Sequence, residues 1–170
     1  MFLLDTNVLS HSSKKKQHPA VVQWLTSQRT LAIPFSAIQE IQQGIIDVGG
    51  QHPARAAEIL VWFEALLLTN FEFPDLTVDV ARTLGSLYCC RPLKHLWLPD
   101  ANSRKEKRPG HDLTISAIAI VHKLPIATMD AKDFRLIDRV FGLPSGAYNP
   151  MSGQWIVVPH NLNDASLVAA

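Results

Sequence analysis

The sequence lacks the features that mark membrane, secreted and zinc-binding proteins. No apolar run approaches the roughly 20 residues that a membrane-spanning helix needs, and the chain begins directly with strand-like sequence rather than with a signal peptide. The two cysteines, Cys89 and Cys90, are adjacent, so they cannot build a disulfide framework and are typical of a reducing compartment. The seven histidines show no paired metal-ligand spacing, which argues against zinc. We therefore expect a cytoplasmic protein that does not associate with membranes.

A strong net charge is also missing. The formal charge is +1 and gives no direct nucleic-acid signature, although a site built from carboxylates would cancel a basic rim around it. Apolar residues make up 47% of the 170 residues, which is enough for a real core and too many for a disordered protein. We expect one domain over residues 1–158, followed by a loosely held polar tail over residues 159–170.

Short apolar runs alternate with longer helical patterns along the chain. Strands are predicted at Phe2–Leu4, Leu31–Ile33, within 68–73, at Ile126–Thr128 and at Trp155–Val158. Helices are predicted at Thr6–Ser10, at His18–Gln28, from about Ala37, at Pro53–Leu67, after a cap at Asp75 or Thr77, and from Asp112 to Leu124. This alternation predicts an α/β fold with right-handed crossovers and a mostly parallel sheet covered on both faces.

Two of the predicted strands stop on a carboxylate. The apolar run Phe2–Leu4 ends at Asp5, and the run that begins at Pro125 ends at Asp130. In parallel α/β sheets, ligands bind just beyond the carboxyl ends of the strands, so both acids are candidate site residues. Each has a structural alternative, because Asp5 can cap the following helix and Asp130 can begin a turn.

Two further carboxylates, Glu40 and Asp112, lie in the first turns of helices that are expected at the same edge of the sheet. Ser36 is predicted to be an N-cap that forms a capping box with Gln39, which leaves Glu40 without a capping role. Gly44 costs this helix up to about 1 kcal/mol relative to Ala, which favours a packing or access reason for it. The alternative for Glu40 is a solvated surface side chain, and the alternative for Asp112 is an N-cap.

The four acids as a set carry the chemical argument. Two unit charges about 4 Å apart repel by about 4 kcal/mol at an effective dielectric of about 20, and a divalent cation removes that penalty. Ligands that are all oxygen atoms favour Mg²⁺ or Mn²⁺ over zinc. A hard cation in such a site lowers the pKa of a bound water and neutralises charge on a transferring phosphoryl group. The predicted chemistry is phosphodiester hydrolysis.

Four segments in order make the sequence resemble the PIN-domain ribonucleases, and most of all the VapC and FitB toxins of bacterial toxin–antitoxin pairs. The segments are Asp5-Thr6-Asn7-Val8-Leu9, then Ser36 with Glu40 and Gly44, then Asp112-Leu113-Thr114-Ile115-Ser116-Ala117, and finally Thr128-Met129-Asp130 with Asp133-Phe134. The likeness covers about residues 1–158. One such match would be weak, but four in sequence are specific.

The resemblance implies a three-layer α/β/α sandwich and a metal-dependent endoribonuclease. It also implies a homodimer and a cognate antitoxin whose tail can occupy the active-site groove. The residues carried over as catalytic groups and as ligands of Mg²⁺ or Mn²⁺ are Asp5, Glu40, Asp112 and Asp130. Thr6 and Ser36 are supporting polar groups that orient a carboxylate or a metal-bound water. Asp133 is given a structural role, in capping or bracing the loop.

Two basic clusters are candidates for gripping RNA. The cluster in the loop before Asp112 consists of Arg104, Lys105, Lys107 and Arg108, and phosphate contacts there would make binding fall with added salt. The cluster 14–16 is equally well explained as a solvated loop. Trp97 either stacks on an unpaired base or anchors the long loop 91–110 to the core.

Two other functions compete with the nuclease. A phosphatase of the haloacid-dehalogenase type would use Asp5 as its nucleophile, but it needs a second Asp where this chain has Asn7. A catalytically inactive PIN-like module would keep the fold and only bind RNA or a protein. Acid-dependent Mn²⁺ binding separates the nuclease from such a module.

Overall fold

The computed structural model describes residues 1–14, 16–98 and 110–160. The strands in these ranges are β1 (Phe2–Leu4), β2 (Leu31–Ala32), β3 (Phe71–Glu72), β4 (Ile126–Ala127), β5 (Ala147–Asn149) and β6 (Gln154–Val157). The α-helices are α1 (Thr6–Leu9), α2 (Pro19–Ser27), α3 (Phe35–Gln51), α4 (Pro53–Leu67), α5 (Val78–Cys89), α6 (Asp112–His122) and α7 (Ala131–Phe141). No helix among the described residues has the length and apolar content to cross a membrane.

The strands form one six-stranded sheet in the order β3-β2-β1-β4-β5-β6. Strands β1 to β5 pair in parallel, and only β6 is antiparallel to its neighbour, so the predicted mostly parallel sheet is confirmed. After β1 the chain moves outward through β2 and β3, and it then crosses back to place β4 on the other side of β1. The crevice between β1 and β4 is therefore the topological switch point, where open α/β sheets bind their ligands.

The sheet separates two hydrophobic cores, because successive strand residues point to opposite faces. Leu3 packs in a core with Val80 of α5, Ile118 of α6 and Phe134 of α7. Its neighbour Leu4 packs in the second core, whose other buried members include Val8, Val21, Ile41 and Phe63 from α1 to α4. The result is the predicted three-layer α/β/α sandwich.

Three elements differ from the sequence prediction. Helix α7 was not predicted, because Asp130 was interpreted as the start of a turn. Strand β5 was missed because Gly146 and Pro150 flank a run of only three strand residues, which favours a turn when no neighbour is known. Helix α3 begins at Phe35 rather than near Ala37, and its N-cap is Pro34, whose carbonyl accepts the Ala37 N–H at 3.0 Å. The predicted N-cap role of Ser36, and with it the capping box with Gln39, is therefore wrong.

Gly146 holds the start of β5 against the last strand. Its φ is +79°, and a methyl group added to it would lie 2.6 Å from the Val157 carbonyl oxygen. Gly142 has a comparable φ of +94° but open space around it. Both positions therefore need a residue that tolerates a positive φ, and only at Gly146 is there also no space for a side chain.

We expect Gly142→Ala to lower the free energy of unfolding by about 1–3 kcal/mol, the cost of a sparsely populated backbone conformation. Gly146→Ala should cost more, because β5 and β6 must also separate to admit the methyl group. Urea unfolding of both variants measures the difference. Equal losses would show that the approach of the Val157 carbonyl does not constrain this position.

Candidate active site

Asp5 lies at the carboxyl end of β1, directly beside the crevice between β1 and β4. Its backbone N–H donates to the Ala127 carbonyl of β4 at 2.9 Å, so the residue continues the strand pairing by one position. The side chain is 5% exposed. A carboxylate this deeply buried is costly unless it is paired or hydrogen-bonded.

Hydrogen bonds from two neighbouring side chains position the Asp5 carboxylate. The Thr128 hydroxyl and the Asn7 amide each donate to Asp5 Oδ2 at 2.6 Å. Asn7 also donates to the Thr128 hydroxyl at 3.2 Å, and its Oδ1 accepts the Met129 N–H at 3.0 Å. This network links the ends of β1 and β4. The sequence motifs contained Asn7 and Thr128, but only the tertiary pairing of the two strands reveals their role.

The hydrogen bonds to Asp5 do not fully offset the cost of burying its charge. The pKa of its carboxyl group is raised to about 6: burial raises it most, the Thr128 hydrogen bond lowers it, and the negative charge of Glu40 raises it. The charged form is therefore disfavoured in spite of its hydrogen bonds. Glu40 of α3 is therefore close enough to Asp5 for its charge to act on that carboxyl group.

Asp112 is the first residue of α6 rather than its cap. The N-cap is His111, and no side-chain hydrogen bond caps this helix, so the capping alternative for Asp112 is wrong. The pKa of the Asp112 carboxyl is raised to about 7, mainly by burial and in addition by the negative charges of Asp5, Asp133, Asp130 and Glu40. The other three acids predicted from the sequence are thus within electrostatic reach of Asp112.

Asp130 has a structural function that the sequence allowed as an alternative. It is the N-cap of α7, and its Oδ1 accepts the N–H groups of Lys132 at 3.0 Å and Asp133 at 3.1 Å. Asp133 affects the pKa of Asp112 more than Asp130 does. Asp133 therefore belongs to the charged cluster, although sequence reasoning gave it only a structural role. Its position in the first turn of α7, one turn beyond the strand end, was the available signal.

One face of α3 supplies the remaining groups. Ser36, Glu40 and Gly44 are spaced four residues apart, so they lie along one side of the helix. Ser36 is fully buried, Glu40 is exposed, and a methyl group at Gly44 would meet open space. Gly44 therefore leaves this side of the cluster accessible, and it is not required for close packing.

Three buried hydroxyl groups close in sequence to the predicted acids lack a hydrogen-bond partner among the described residues. Thr6 Oγ1, Ser36 Oγ and Ser116 Oγ are buried and form no hydrogen bond within the described part of the chain. Each such group costs about 1–3 kcal/mol if it stays unsatisfied. Thr6 follows Asp5 directly, Ser36 precedes Glu40 by one turn, and Ser116 follows Asp112 by one turn, so each accompanies a predicted acid.

The donor set fits a hard divalent cation in its chemistry. Carboxylate and hydroxyl oxygens are the ligands that Mg²⁺ prefers, and Mg²⁺ usually keeps several waters while it contacts only one or two carboxylates. Within residues 1–14, 16–98 and 110–160, however, no three Asp, Glu, His or Cys side chains are grouped so that they could hold a metal ion. An ion bound among these acids would therefore have to be held partly through water.

The predicted RNA-contact residues Arg104, Lys105, Lys107 and Arg108 lie outside the described residues. So does most of the predicted C-terminal tail, from residue 161 onward. Trp97 packs against Tyr88, with ring centroids 4.7 Å apart, and contacts the hydrophobic core that contains Leu3. This contact supports the anchoring interpretation of Trp97 over base stacking.

A family model described as the PIN domain matches residues 2–140. The chain belongs to the PIN-domain family. The resemblance drawn from the four sequence segments is thereby confirmed. PIN domains are typically nucleases and generally depend on a metal ion.

Solved structures with the same fold are PIN-like chains of toxin–antitoxin assemblies. A chain of FitAcB from Neisseria gonorrhoeae is 23% identical, with a TM-score of 0.59 over 88% of this PIN domain protein and 98% of that chain. A chain of DNA-bound VapBC2 from Rickettsia felis is 22% identical, with a TM-score of 0.57, and the match covers 87% of this chain and 97% of that chain. A chain of VapBC-5 from Mycobacterium tuberculosis is 24% identical, with a TM-score of 0.54, and the match covers 87% of this chain and 95% of that chain. No curated protein matches the sequence.

The metal-free PIN domain should lose stability as the pH rises from about 4 to about 7. In this window the folded state retains protons on Asp5 and Asp112, whose pKa values are about 6 and about 7, whereas the unfolded chain releases them near 3.8. The unfolded state is then favoured by increasing pH. Asp112→Asn should flatten the dependence, and Glu64→Gln, an exposed acid of α4, should not.

Urea unfolding in the presence of a chelator, repeated across this pH range, measures the effect. An Asp112→Asn protein whose stability falls with pH as steeply as the wild type would contradict the assignment of the strain to the acidic cluster.

Proposed function

We propose that the protein is an endoribonuclease that depends on Mg²⁺ or Mn²⁺ and hydrolyses RNA phosphodiester bonds. The observation that carries the proposal is the crowding of negative charge at the switch point of the sheet. Asp5 is buried there, and its pKa is raised to about 6 by burial and by Glu40. Such a cluster is strained without a cation and relaxed with one.

In this proposal the cation would be held by Asp5, Glu40, Asp112 and Asp130, with Asp133 adding to the negative potential. When bound, the ion would lower the pKa of a water molecule and neutralise charge on the phosphoryl group. Thr128 and Asn7 fix the orientation of the Asp5 carboxylate. Glu40 is exposed on the same side of α3 as Gly44, and the Thr6 and Ser36 hydroxyls would orient a carboxylate or a water bound to the ion.

We further propose that the nuclease acts as the toxin of a toxin–antitoxin pair and forms a homodimer in the cytoplasm. Support comes from relatives of the same fold, which include a member of the VapBC family of toxin–antitoxin systems and a toxin–antitoxin complex from Klebsiella pneumoniae. A cognate antitoxin would bind this chain and silence the site. Arg104, Lys105, Lys107 and Arg108 remain predicted contacts to RNA phosphates.

A second candidate function is a PIN-like module that binds RNA or protein without cleaving. One observation favours it, namely that no three acids among the described residues are grouped to hold a metal ion directly. The phosphatase alternative is not retained, because the chain belongs to the PIN-domain family. In addition, the Asn7 amide donates to Asp5 at the position where a second carboxylate would be required.

Asp5→Asn should reduce Mn²⁺-dependent cleavage of single-stranded RNA by more than about a hundredfold, the upper range for loss of an outer-shell partner of a metal ligand. It should also abolish Mn²⁺ binding in calorimetry while the melting temperature is retained. Glu64→Gln, which lies on the exposed face of α4, is the matched control. Full cleavage by purified Asp5→Asn protein would refute the assignment, and absence of Mn²⁺ binding by the wild type would favour the inert module.

A small protein encoded immediately upstream should copurify with this chain and suppress its nuclease activity. Removing that protein by denaturation and refolding should restore cleavage, because inhibition would occur by binding. Persistent activity of the intact pair, or failure of the two proteins to associate, would contradict the toxin–antitoxin assignment without affecting the nuclease assignment.

A further inference from the structure

A cavity opens between α2 and the turn that joins β5 to β6. Its volume is about 360 Å³. The residues on which the argument depends are Ala20, Gln23 and Trp24 of α2, together with Tyr148 of β5 and Ser152 of the turn. Neither the family match nor the sequence motifs assign a role to these residues.

Two aromatic rings form one wall of this cavity. Trp24 and Tyr148 are stacked, with centroids 5.8 Å apart and planes inclined by 27°. Behind them, Phe2 meets Trp24 edge-on at 5.2 Å, and Trp155 meets Tyr148 edge-on at 5.3 Å. Both wall rings are only partly buried. The surrounding rings hold this wall in place, so a flat ligand would find it already formed.

The described residues that line the cavity include no charged side chain. Gln23, Ser27 and Ser152 supply neutral hydrogen-bonding groups at its rim. The Tyr148 hydroxyl adds a further polar group, and a methyl group on Gly153 would lie 3.8 Å from it. This lining suits a neutral, flat, polar-edged group and does not suit an isolated phosphate or carboxylate.

The cavity shares an edge of the sheet with the acidic cluster. Strand β5 runs parallel to β4 and β1, so Tyr148 and Asp5 both approach the carboxyl edge. The Thr128 N–H donates to the Tyr148 carbonyl at 2.9 Å, while the Thr128 hydroxyl donates to Asp5. Neighbouring strands lie about 5 Å apart, so about 10 Å separates β5 from β1. Tyr148 is in register with Ala127 and Leu4, so its ring lies on the α2 side of the sheet. An RNA strand that bends over the carboxyl edge would connect the cavity with the acidic cluster.

We propose that this cavity holds an unpaired base of the RNA substrate next to the phosphodiester at the acidic cluster. The inference rests on the proposed nuclease function and names a base-binding subsite for it. Stacking on aromatic rings accepts any base, because every base has a π-face, whereas the amide of Gln23 can favour one base edge over another. Lys14 and Lys16 are exposed in the loop that leads into α2, where they would meet the adjoining phosphates.

The test compares two probes that share a ribose-phosphate backbone, a short oligoadenylate and the same chain without bases. Binding is measured by fluorescence anisotropy on the full-length Asp5→Asn protein, which does not cut the probe. We expect the oligoadenylate to bind about tenfold more tightly than the abasic chain, in the range of one base stacked on an aromatic side chain. Ala20→Glu should remove this preference by filling the cavity with a charged side chain.

The chain offers a matched control for Ala20→Glu. Ala54 follows Pro53 at the start of α4 as Ala20 follows Pro19 at the start of α2, so Ala54→Glu places the same charge at the same helical position away from the cavity. A glutamate in a first helical turn is compatible with the helix dipole, so both variants should fold. A second pair, Trp24→Leu with Trp62→Leu as control, tests the stacking wall itself.

Loss of the base preference in Ala20→Glu and Trp24→Leu, with the controls unchanged, would support the subsite. If the wild type cleaves RNA but the preference survives Ala20→Glu, the subsite is overturned and the nuclease stands. If the wild type neither cleaves RNA nor binds either probe, the nuclease proposal fails and the subsite fails with it. If Ala20→Glu abolishes antitoxin binding and leaves RNA binding intact, the cavity belongs to a protein partner and the inference is wrong.

Discussion

The hydrogen bonds that hold the Asp5 carboxylate between β1 and β4 are the constraint on which the rest of the site depends. Thr128 and Asn7 both donate to Oδ2, so a negative charge is fixed at the switch point of the sheet, where solvent cannot compensate for it. Two hydrogen bonds do not offset the burial, and the pKa of the group stays raised at about 6. This residual cost would be reduced by a bound cation, as the proposed function requires.

The helices around the sheet add further carboxylates, which increase the electrostatic repulsion at this edge. Helix α6 starts with Asp112 at the point where four other carboxylates already act on it, and its pKa rises to about 7. Helix α3 adds Glu40, and a buried hydroxyl with no partner in the described part of the chain accompanies each of Asp5, Glu40 and Asp112. A structure that needed only stability would neutralise or separate such groups. Their retention at the ligand-binding edge of an α/β sheet fits a site completed by an ion and its waters.

Much of this arrangement could be predicted from the sequence, because strand ends and helix starts leave local signals. The alternation of apolar runs with helical patterns gave the layers, and Asp5 and Asp112 were recognised by their positions beside such runs. What could not be predicted depends on distant neighbours. Strand β5 is too short to stand out without β4 beside it. The role of Thr128 depends on a partner 123 positions away, and the aromatic wall exists only after β5 and α2 meet.

The central claim is that these separated carboxylates converge on one divalent cation. Anomalous diffraction from crystals of the protein soaked in Mn²⁺ tests it most directly. We expect a single strong manganese peak in the crevice between β1 and β4, within direct or one-water reach of the carboxylates of Asp5 and Asp112. A peak elsewhere on the molecule, or none at a concentration that supports RNA cleavage, would contradict it.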